Sequence, residues 1–594
     1  MSRVAMIFWL ILSLTTASAV APREMTSDQK VLHALNRLTF GARAADVEEV
    51  RRAGLQAWID RQLHPESISE NPVLEAKLAP LDTLRMSPRE LVQEYPPPQV
   101  IKAMAEGRLP MPADPAKRAT VQKLIQRYER KQGSTDDADP TAAIESLPLT
   151  VEQKTVLKSG SPEERLRLLE SVPLEQQWAL LDAMPSGTRQ KLYANAPPEL
   201  RRRIQISNGP FQVVSQDLTE GKLLRAAYSN RQLEEVLTDF WYNHFNVDLD
   251  KGADRFLVTS YERDVIRPHV LGRFKDLLLA TAESPAMLFY LDNWQSTGPD
   301  AHPRPGQKQK AGLNENYGRE LMELHTLGVD GGYTQRDVTE VARCFTGWTI
   351  REPRLGGGFE FNPRRHDNGE KHVLGVAIPA GGGMEDGLRV LDILARHPST
   401  ARFISRSLAV RFVSDNPPES LVKRMADAFT ATDGDLREVM RAMINAPEFW
   451  DPANFRSKVK SPLEMTVSAM RAINADIGYT FAMNGVMTQL GEPLYRKLEP
   501  TGYSNRGTDW MNSASLLARM NFANSLARSS INGISVDLSQ FSGDASQIER
   551  RLLLTEPSHD AQEAIQAGLA EQTSSLQGSL VAGLTLGSPD FQRR

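Results

Sequence analysis

Carboxylates and histidines are the residues of this chain whose spacing could support catalysis, and the densest group lies within 314–348. Glu320 and Glu323 are three residues apart on a predicted helix, so their side chains share one face and could bridge a divalent cation or share a proton. His325 lies roughly 140–160° around a regular helix from both and would join them only if the helix unwinds. Alternatively, the two glutamates and Arg319 form a solvated, salt-bridged surface.

A second candidate is His244, at the end of the segment RQLEEVLTDFWYNHF. It shares one helix face with four apolar residues, and this spacing predicts that it points inward beside Phe240. A buried histidine needs a hydrogen-bond partner. That partner is either a backbone carbonyl, which makes His244 a core residue, or the carboxylates of a site.

A third candidate is the pair His366 and Asp367, in the clearest β signal of the chain. The alternation and turn residues predict a β-hairpin over 359–375 that turns at 367–369. A His-Asp pair can ligate a metal or act as acid and base. Asp in such a turn can also serve the turn alone.

Two predicted helices position the central carboxylates. Asn314 is a plausible N-cap, and Gly328 ends the first helix. Thr334, followed by Asp337, gives a capping-box start to the second. The apolar residues of the second helix recur at i, i+3, i+4 and i+7 and predict one buried side: Val338, Val341, Ala342 and Phe345.

The composition is that of a globular protein. The chain has 594 residues, 40% hydrophobic and 24% charged, with a net charge of −4. The charge balance argues against nucleic acid as the main partner. The single cysteine, Cys344, cannot form an internal disulfide, so we expect stability to come from a large core.

Residues 1–21 are predicted to be a secretory signal peptide. Arg3 is followed by an apolar run over 4–14, and the small residues before Ala19 or Ala21 suit cleavage. The run is shorter than the ~20 residues that span a bilayer, and no later segment is long and apolar enough. The mature chain is therefore expected to be exported, periplasmic or secreted, without a transmembrane segment.

The periodicity is helical along most of the chain, which predicts a mainly α fold: one large multi-helix domain with the small hairpin and a helical insertion. Residues 28–64 form its N-terminal part and 211–594 its main body. The insertion, 65–210, carries prolines at 162, 173, 185 and 197, each opening one short helix of a repeat.

Several stretches together resemble domain-of-unknown-function family 1800, a family of bacterial exported proteins. They are RLTFGARAADVEEVRRAGLQAWIDRQLHP, FWYNHFNV, RPHVLGRFKDLLLATAESPAMLFYLDN, NENYGRELMELHTLGVDGGYTQRDVTEVARCFTGW, HDNGEKHVLG, ASLLARMNFANSLA and SPDFQRR. Residues 65–210 depart from the compact family pattern. The resemblance implies a helical exported protein without a settled activity. It also implies a partner, because family members are often encoded beside a second exported family similar to alkaline phosphatases and sulfatases.

The leading hypothesis is a hydrolase whose candidate site combines the three groups: His244, Glu320, Glu323, His366 and Asp367. A divalent metal held there would activate water, with Glu320 or Glu323 as general base and His244 as a further catalytic group. Mixed His and carboxylate ligands suit zinc, manganese or iron better than calcium.

The rival hypothesis is a non-catalytic exported scaffold or partner of another enzyme. It is motivated by the repeat and by the absence of G-x-S-x-G, HExxH, CxxCH and P-loop signatures. A weaker third hypothesis is carbohydrate binding through exposed aromatic residues such as Trp294, Trp348 and Trp510.

Overall fold

We describe a computed structural model of the chain over residues 24–112, 115–133, 140–193, 195–299, 312–570 and 577–594. The predicted signal peptide lies outside these residues. The mainly α class is confirmed, since helices make up 64% of the chain. Within the described residues, no helix combines the length and the apolar character needed to cross a membrane.

The helices fall into three runs along the chain. The N-terminal run contains Ser27–Leu38, Ala44–Ala53 and Leu55–Gln62. The next run contains Pro72–Leu78, Pro88–Glu94, Pro98–Ala105, Pro115–Gly133, Pro140–Glu145, Val151–Ser159, Pro162–Ser171, Leu174–Ala183, Ser186–Tyr193 and Pro198–Asn208. The third contains Pro210–Tyr228, Gln232–His244, Asp254–Ser260, Phe274–Glu283, Pro285–Tyr290, Asn316–Glu320, Gln335–Cys344, Met384–Ala395, Pro398–Phe412, Glu419–Ala431, Leu436–Ile444, Pro462–Ala472, Phe481–Gln489, Ser513–Ala527, Ala545–Leu553, His559–Ala570, Gln577–Gly587 and Pro589–Gln592.

Local sequence signals fix where many helices begin. Thr334 forms the predicted capping box, since its hydroxyl accepts the Asp337 N–H and the Asp337 carboxylate accepts the Thr334 N–H. Ser461 caps Pro462–Ala472 in the same way. The repeat prolines lie at helix starts, as their fixed φ and missing N–H favour.

Two helices change from α-helical to π-helical winding along their length. Tyr261–Ile266 and Leu321–Thr326 are π-helical, with hydrogen bonds that reach one residue further than in an α-helix. The first continues Asp254–Ser260, and the second continues Asn316–Glu320. Both segments therefore depart from the regular angular spacing on which sequence arguments rest.

The strands form three two-stranded antiparallel sheets, and their pairing differs from the predicted hairpin. Phe359–Phe361 pairs with Trp348–Ile350, while Lys371–Val373 pairs with Val376–Ile378. The chain reverses at Leu374 and Gly375, whose φ values of 49° and 78° suit a two-residue hairpin turn. The turn at 367–369 therefore does not join two paired strands. The third sheet pairs Asp476–Ile477 with Ile534–Ser535.

One continuous apolar core contains residues from Val31 to Phe591. A second, smaller cluster is formed by the short helices between Ile144 and Ile204 and reaches the rest of the protein through Tyr479. A third gathers residues around Leu91 and Phe256. The repeat segment thus has its own small core, docked on the larger one.

A buried arginine fastens the N-terminal helices to the rest of the fold. Arg471 donates to the carbonyls of Gly41 and Ala227 at 2.8 and 2.7 Å and to the Asp46 carboxylate at 2.8 Å. Its side chain is almost inaccessible. Three distant segments therefore depend on one guanidinium group.

Replacing Arg471 with Leu should lower the free energy of unfolding by about 3–5 kcal/mol, because it leaves two buried carbonyls and a carboxylate without this donor. Urea denaturation measures the loss. The matched change Arg51→Leu removes only exposed ion pairs with Asp28 and Glu48 and should leave the midpoint nearly unchanged. Equal effects of the two changes would contradict the assigned role of Arg471.

Candidate functional site

The predicted carboxylate pair lies on either side of the point where the helix becomes π-helical, with Glu320 at the end of Asn316–Glu320 and Glu323 within Leu321–Thr326. Glu320 and Glu323 are partly exposed, and Glu323 accepts a hydrogen bond from the Tyr333 hydroxyl at 3.1 Å. Burial, and then the charge of Glu323, raises the pKa of Glu320. The start of the helix Asn316–Glu320 also differs from the prediction, since its N-cap is Glu315 and not Asn314.

His244 points into an aromatic part of the core, as its helix face predicts. Its ring stacks on Phe240 with centroids 6.2 Å apart, and its Nε2 donates to the His325 carbonyl at 3.1 Å. Burial lowers the pKa of His244 to about 4, so the ring is neutral at pH 7. Of the two alternatives for its partner, the structure shows the backbone carbonyl.

His366 and Asp367 are also held by protein groups. His366 Nδ1 lies 2.8 Å from the Thr346 carbonyl, and its Nε2 lies 3.0 Å from Asp386. The fully buried Lys371 approaches the same Asp386 carboxylate at 2.5 Å. Asp367 pairs with Arg343 at 2.8 Å.

The five predicted metal ligands therefore divide into separately partnered groups. Among the residues that the structure describes, no group of three or more His, Cys, Asp and Glu side chains could hold a metal ion. These five side chains therefore do not form the expected metal-ligand set in this structure.

A different cleft collects a dense set of polar side chains. Its cavity volume is about 40 Å³, room for a few water molecules. We call it the Lys222 cleft. Its lining residues are Lys222, Asp239, Tyr242, Asn243, Asn246, Arg411, Ser461, Glu492, Leu494, Tyr495, Tyr503, Ser504 and Asn505.

An ion pair forms the centre of this cleft. Lys222 Nζ lies 2.9 Å from Asp239 Oδ1 and 3.7 Å from Glu262 Oε2. Burial alone would lower the pKa of Lys222, but Asp239 and Glu262 outweigh it and raise the pKa. Arg411 approaches the other Asp239 oxygen at 3.5 Å. Asp239 thus faces two cations.

Glu492 lies in the same cleft, where its surroundings favour the protonated form of its carboxyl group. Burial, and then the negative charge of Asp239, raises its pKa to about 7. Its Oε2 accepts the backbone N–H of Leu463 at 2.7 Å, at the start of the Pro462–Ala472 helix. The cleft therefore holds one cation-paired carboxylate and one carboxyl group that titrates near neutrality.

The far wall of the cleft is the loop that carries Tyr495 and Tyr503. The Asn243 amide donates to the Tyr503 carbonyl at 2.7 Å and accepts its N–H at 2.6 Å. Gly502 is required there, since it has a φ of 69° and a Cβ would lie 2.2 Å from the Asn243 carbonyl. Asn246 holds the same loop by donating to the carbonyls of Lys497 and Glu499.

Tyr495 connects this loop to the ion pair. Its hydroxyl donates to Glu262 at 2.7 Å, and its ring lies 5.0 Å from Lys222 Nζ. Its φ of 62° is unusual for an aromatic residue and marks local strain. Glu262 itself lies in the π-helical turn, a feature often found at functional sites.

Comparison with known proteins identifies the family. The sequence model of a family described as a protein of unknown function (DUF1800) matches residues 33–593. The chain belongs to the DUF1800 family. The match confirms the resemblance and runs through 65–210 as well. Neither the curated proteins nor the solved structures gave a match.

In this DUF1800 chain, the helix Gln232–His244 carries several residues of the cleft. The sequence pattern had pointed only to His244 on that helix. Asp239, Tyr242, Asn243 and Asn246 recur at i, i+3, i+4 and i+7, the spacing of one helix face. This polar stripe could have predicted a polar site on that face of the helix. Lys222 and Glu492 gave none, because each is an isolated charge in sequence and becomes a partner only when the helices pack.

The raised pKa of Glu492 predicts a pH-dependent stability. The stabilisation from its bound proton is present below the unfolded value of 4.5 and is lost as the pH rises through about 7. Relative to Glu492→Gln, the wild type should therefore lose on the order of 3 kcal/mol of unfolding free energy between these limits. Parallel urea denaturation at about pH 4.5 and pH 8 measures the difference.

The exposed change Glu556→Gln serves as the control and should reproduce the wild-type pH dependence, since Glu556 lies at the surface. Identical pH dependence of the wild type and Glu492→Gln would show that Glu492 titrates normally in the folded protein.

Proposed function

We propose that this DUF1800 protein is a hydrolase that works by general acid–base catalysis in the Lys222 cleft. The observation that supports it is the presence of Asp239 and Glu492 in one open cleft with opposed electrostatic surroundings. Two carboxyl groups in different surroundings, one beside two cations and one buried and favoured in its protonated form, can divide the roles of base and acid. The proposal keeps the hydrolytic class expected from sequence and moves the site away from Glu320, Glu323 and His366.

In the proposed mechanism, Glu492 is the general acid. With a pKa of about 7, it is about half protonated at neutral pH and largely protonated below it, so it can give its proton to a leaving group. Asp239, paired with Lys222 and Arg411, takes a proton from the attacking water. The amides and hydroxyls of Asn243, Ser504 and Asn505 line the cleft and can orient a polar substrate.

The first test is hydrolysis of a panel of chromogenic esters, phosphate esters and glycosides. Glu492→Gln should lower kcat for the substrate class that is cleaved by about 10²–10⁴-fold, the usual contribution of an acid–base group. The wild-type rate should fall as the pH rises through about 7, because Glu492 then loses the proton that it donates.

The matched control is Glu320→Gln, which makes the same change in the carboxylate pair first favoured by sequence. It should retain activity. If Glu320→Gln is inactive and Glu492→Gln is active, the Lys222 cleft is not the catalytic site. Thermal midpoints of both variants show whether any loss reflects unfolding.

The alternative function is a non-catalytic partner of a second exported protein similar to alkaline phosphatases and sulfatases. It is supported by apolar side chains exposed on the Ser513–Ala527 helix, where Leu517 is 61% and Met520 44% accessible. Absence of activity on every substrate class, together with saturable binding to that partner, would favour this alternative over catalysis.

We also propose that the mature enzyme acts outside the cytoplasm. Support comes from residues 1–21, with their basic start, apolar run and small residues at Ala19 and Ala21. Full-length protein expressed in a bacterial host should be recovered from the periplasm or medium, with an N-terminus that follows one of these alanines. Recovery in the cytoplasm with residues 1–21 retained would contradict export.

A further inference from the structure

A groove separate from the Lys222 cleft lies where the repeat helices meet the main body. Its cavity volume is about 320 Å³, at the lower end of the range of roughly 300–1,000 Å³ that small-ligand sites occupy. No residue lines both the groove and the cleft. The lining comes mainly from the helices Ser186–Tyr193, Pro198–Asn208, Pro210–Tyr228 and Phe481–Gln489, and Asp250, Arg255 and Arg496 complete it.

Aromatic rings form part of the lining. Phe481 is 40% exposed, which is unusual for so large an apolar side chain, and its ring lies 5.3 Å from that of Tyr193. Phe211, on the helix Pro210–Tyr228, is partly exposed and also lines the groove. The face of an aromatic ring carries partial negative charge and attracts polarised C–H groups, such as those on the flat side of a sugar ring.

The polar part of the lining consists mainly of amides. Gln205 donates to the Tyr193 hydroxyl at 2.6 Å, and Asn484 donates to the Gln216 side-chain oxygen at 2.7 Å. These two hydrogen bonds hold the four side chains in place in the absence of a ligand. A primary amide offers donors and an acceptor side by side, which matches the neighbouring hydroxyls of a sugar.

One cation in the groove is not matched by a carboxylate. Arg496 pairs with Asp250 at 2.9 Å. The Arg255 guanidinium instead lies over the Phe211 ring at 5.2 Å, and within the described parts of the chain it has no ion pair. A guanidinium group stacked on a ring keeps its edge free for a carboxylate.

We propose that this groove binds an acidic oligosaccharide. Sugar rings stack on Phe481 and Phe211, the amides bind ring hydroxyls, and Arg255 pairs with a uronate carboxylate. A nucleic acid strand is less well matched, because its repeated phosphates would meet amides, the Asp250 carboxylate and, among the described lining residues, one arginine without an ion pair. The inference does not rest on the proposed catalysis, since the groove and the cleft have different linings.

The probe is tetragalacturonate, compared with its methyl ester, which keeps the rings and hydroxyls but loses the charge. Isothermal titration calorimetry with the full chain should show saturable binding of the acid and at least tenfold weaker binding of the ester, as expected for loss of one charge-assisted contact. Arg255→Gln should weaken binding of the acid by about tenfold or more and leave the ester unaffected.

Phe481→Ala should weaken both probes by roughly threefold to tenfold, because stacking does not depend on the carboxylate. The matched controls are Arg528→Gln and Leu517→Ala, which change exposed residues outside the groove and should bind like the wild type. Thermal midpoints verify folding of every variant.

Several results would overturn the proposal. They are no binding of either probe, equal binding of acid and ester, and binding that neither Arg255→Gln nor Phe481→Ala changes. Tighter binding of a short single-stranded oligonucleotide, lost in the same two variants, would assign the groove to nucleic acid instead.

Discussion

Charge buried inside a helical core has to be matched by opposite charge, and this requirement shapes the centre of the protein. Lys222 lies between Asp239 and Glu262, and Arg267 continues the network from Glu262 to Glu235. These partners come from separate helices and from the π-helical turn, so none is satisfied until the helices pack. Loss of one partner leaves a buried charge alone, which typically costs about 3–5 kcal/mol. The charges that could carry out chemistry are thus also a condition for the fold.

The same requirement separates the roles of the two carboxyl groups in the cleft. Asp239 faces Lys222 and Arg411, whereas Glu492 is buried near the negative charge of Asp239 and accepts hydrogen bonds from a backbone N–H and a hydroxyl. Two cations lie beside one group, and burial stabilises the protonated form of the other. This difference in surroundings, within one small volume, is the physical basis of the proposed acid–base function.

The buried histidines illustrate how a reactive residue type can serve the core. Burial lowers the pKa of His244 to about 4 and that of His325 to about 3. Burial likewise lowers the pKa of His33 to about 3, and its ring packs edge-on against Phe449 at 4.9 Å. All three are neutral at pH 7 and make aromatic contacts, so residue type alone is a weak guide to function in so large a core.

The sequence by itself determined the mainly α class, the capping box at Thr334, the short proline-led helices of the repeat and the inward direction of His244. These are local properties, set by periodicity, caps and backbone restriction within a few residues. Only the tertiary structure decided which charges meet. The π-helical winding moved the side chains after Glu320 off their regular spacing, and Asp386, remote from His366 in sequence, completed that histidine's contacts. Lys222 and Asp239 lie on successive helices, whereas Glu492 is far along the chain from both, and their electrostatic coupling arises only from packing that no local pattern encodes.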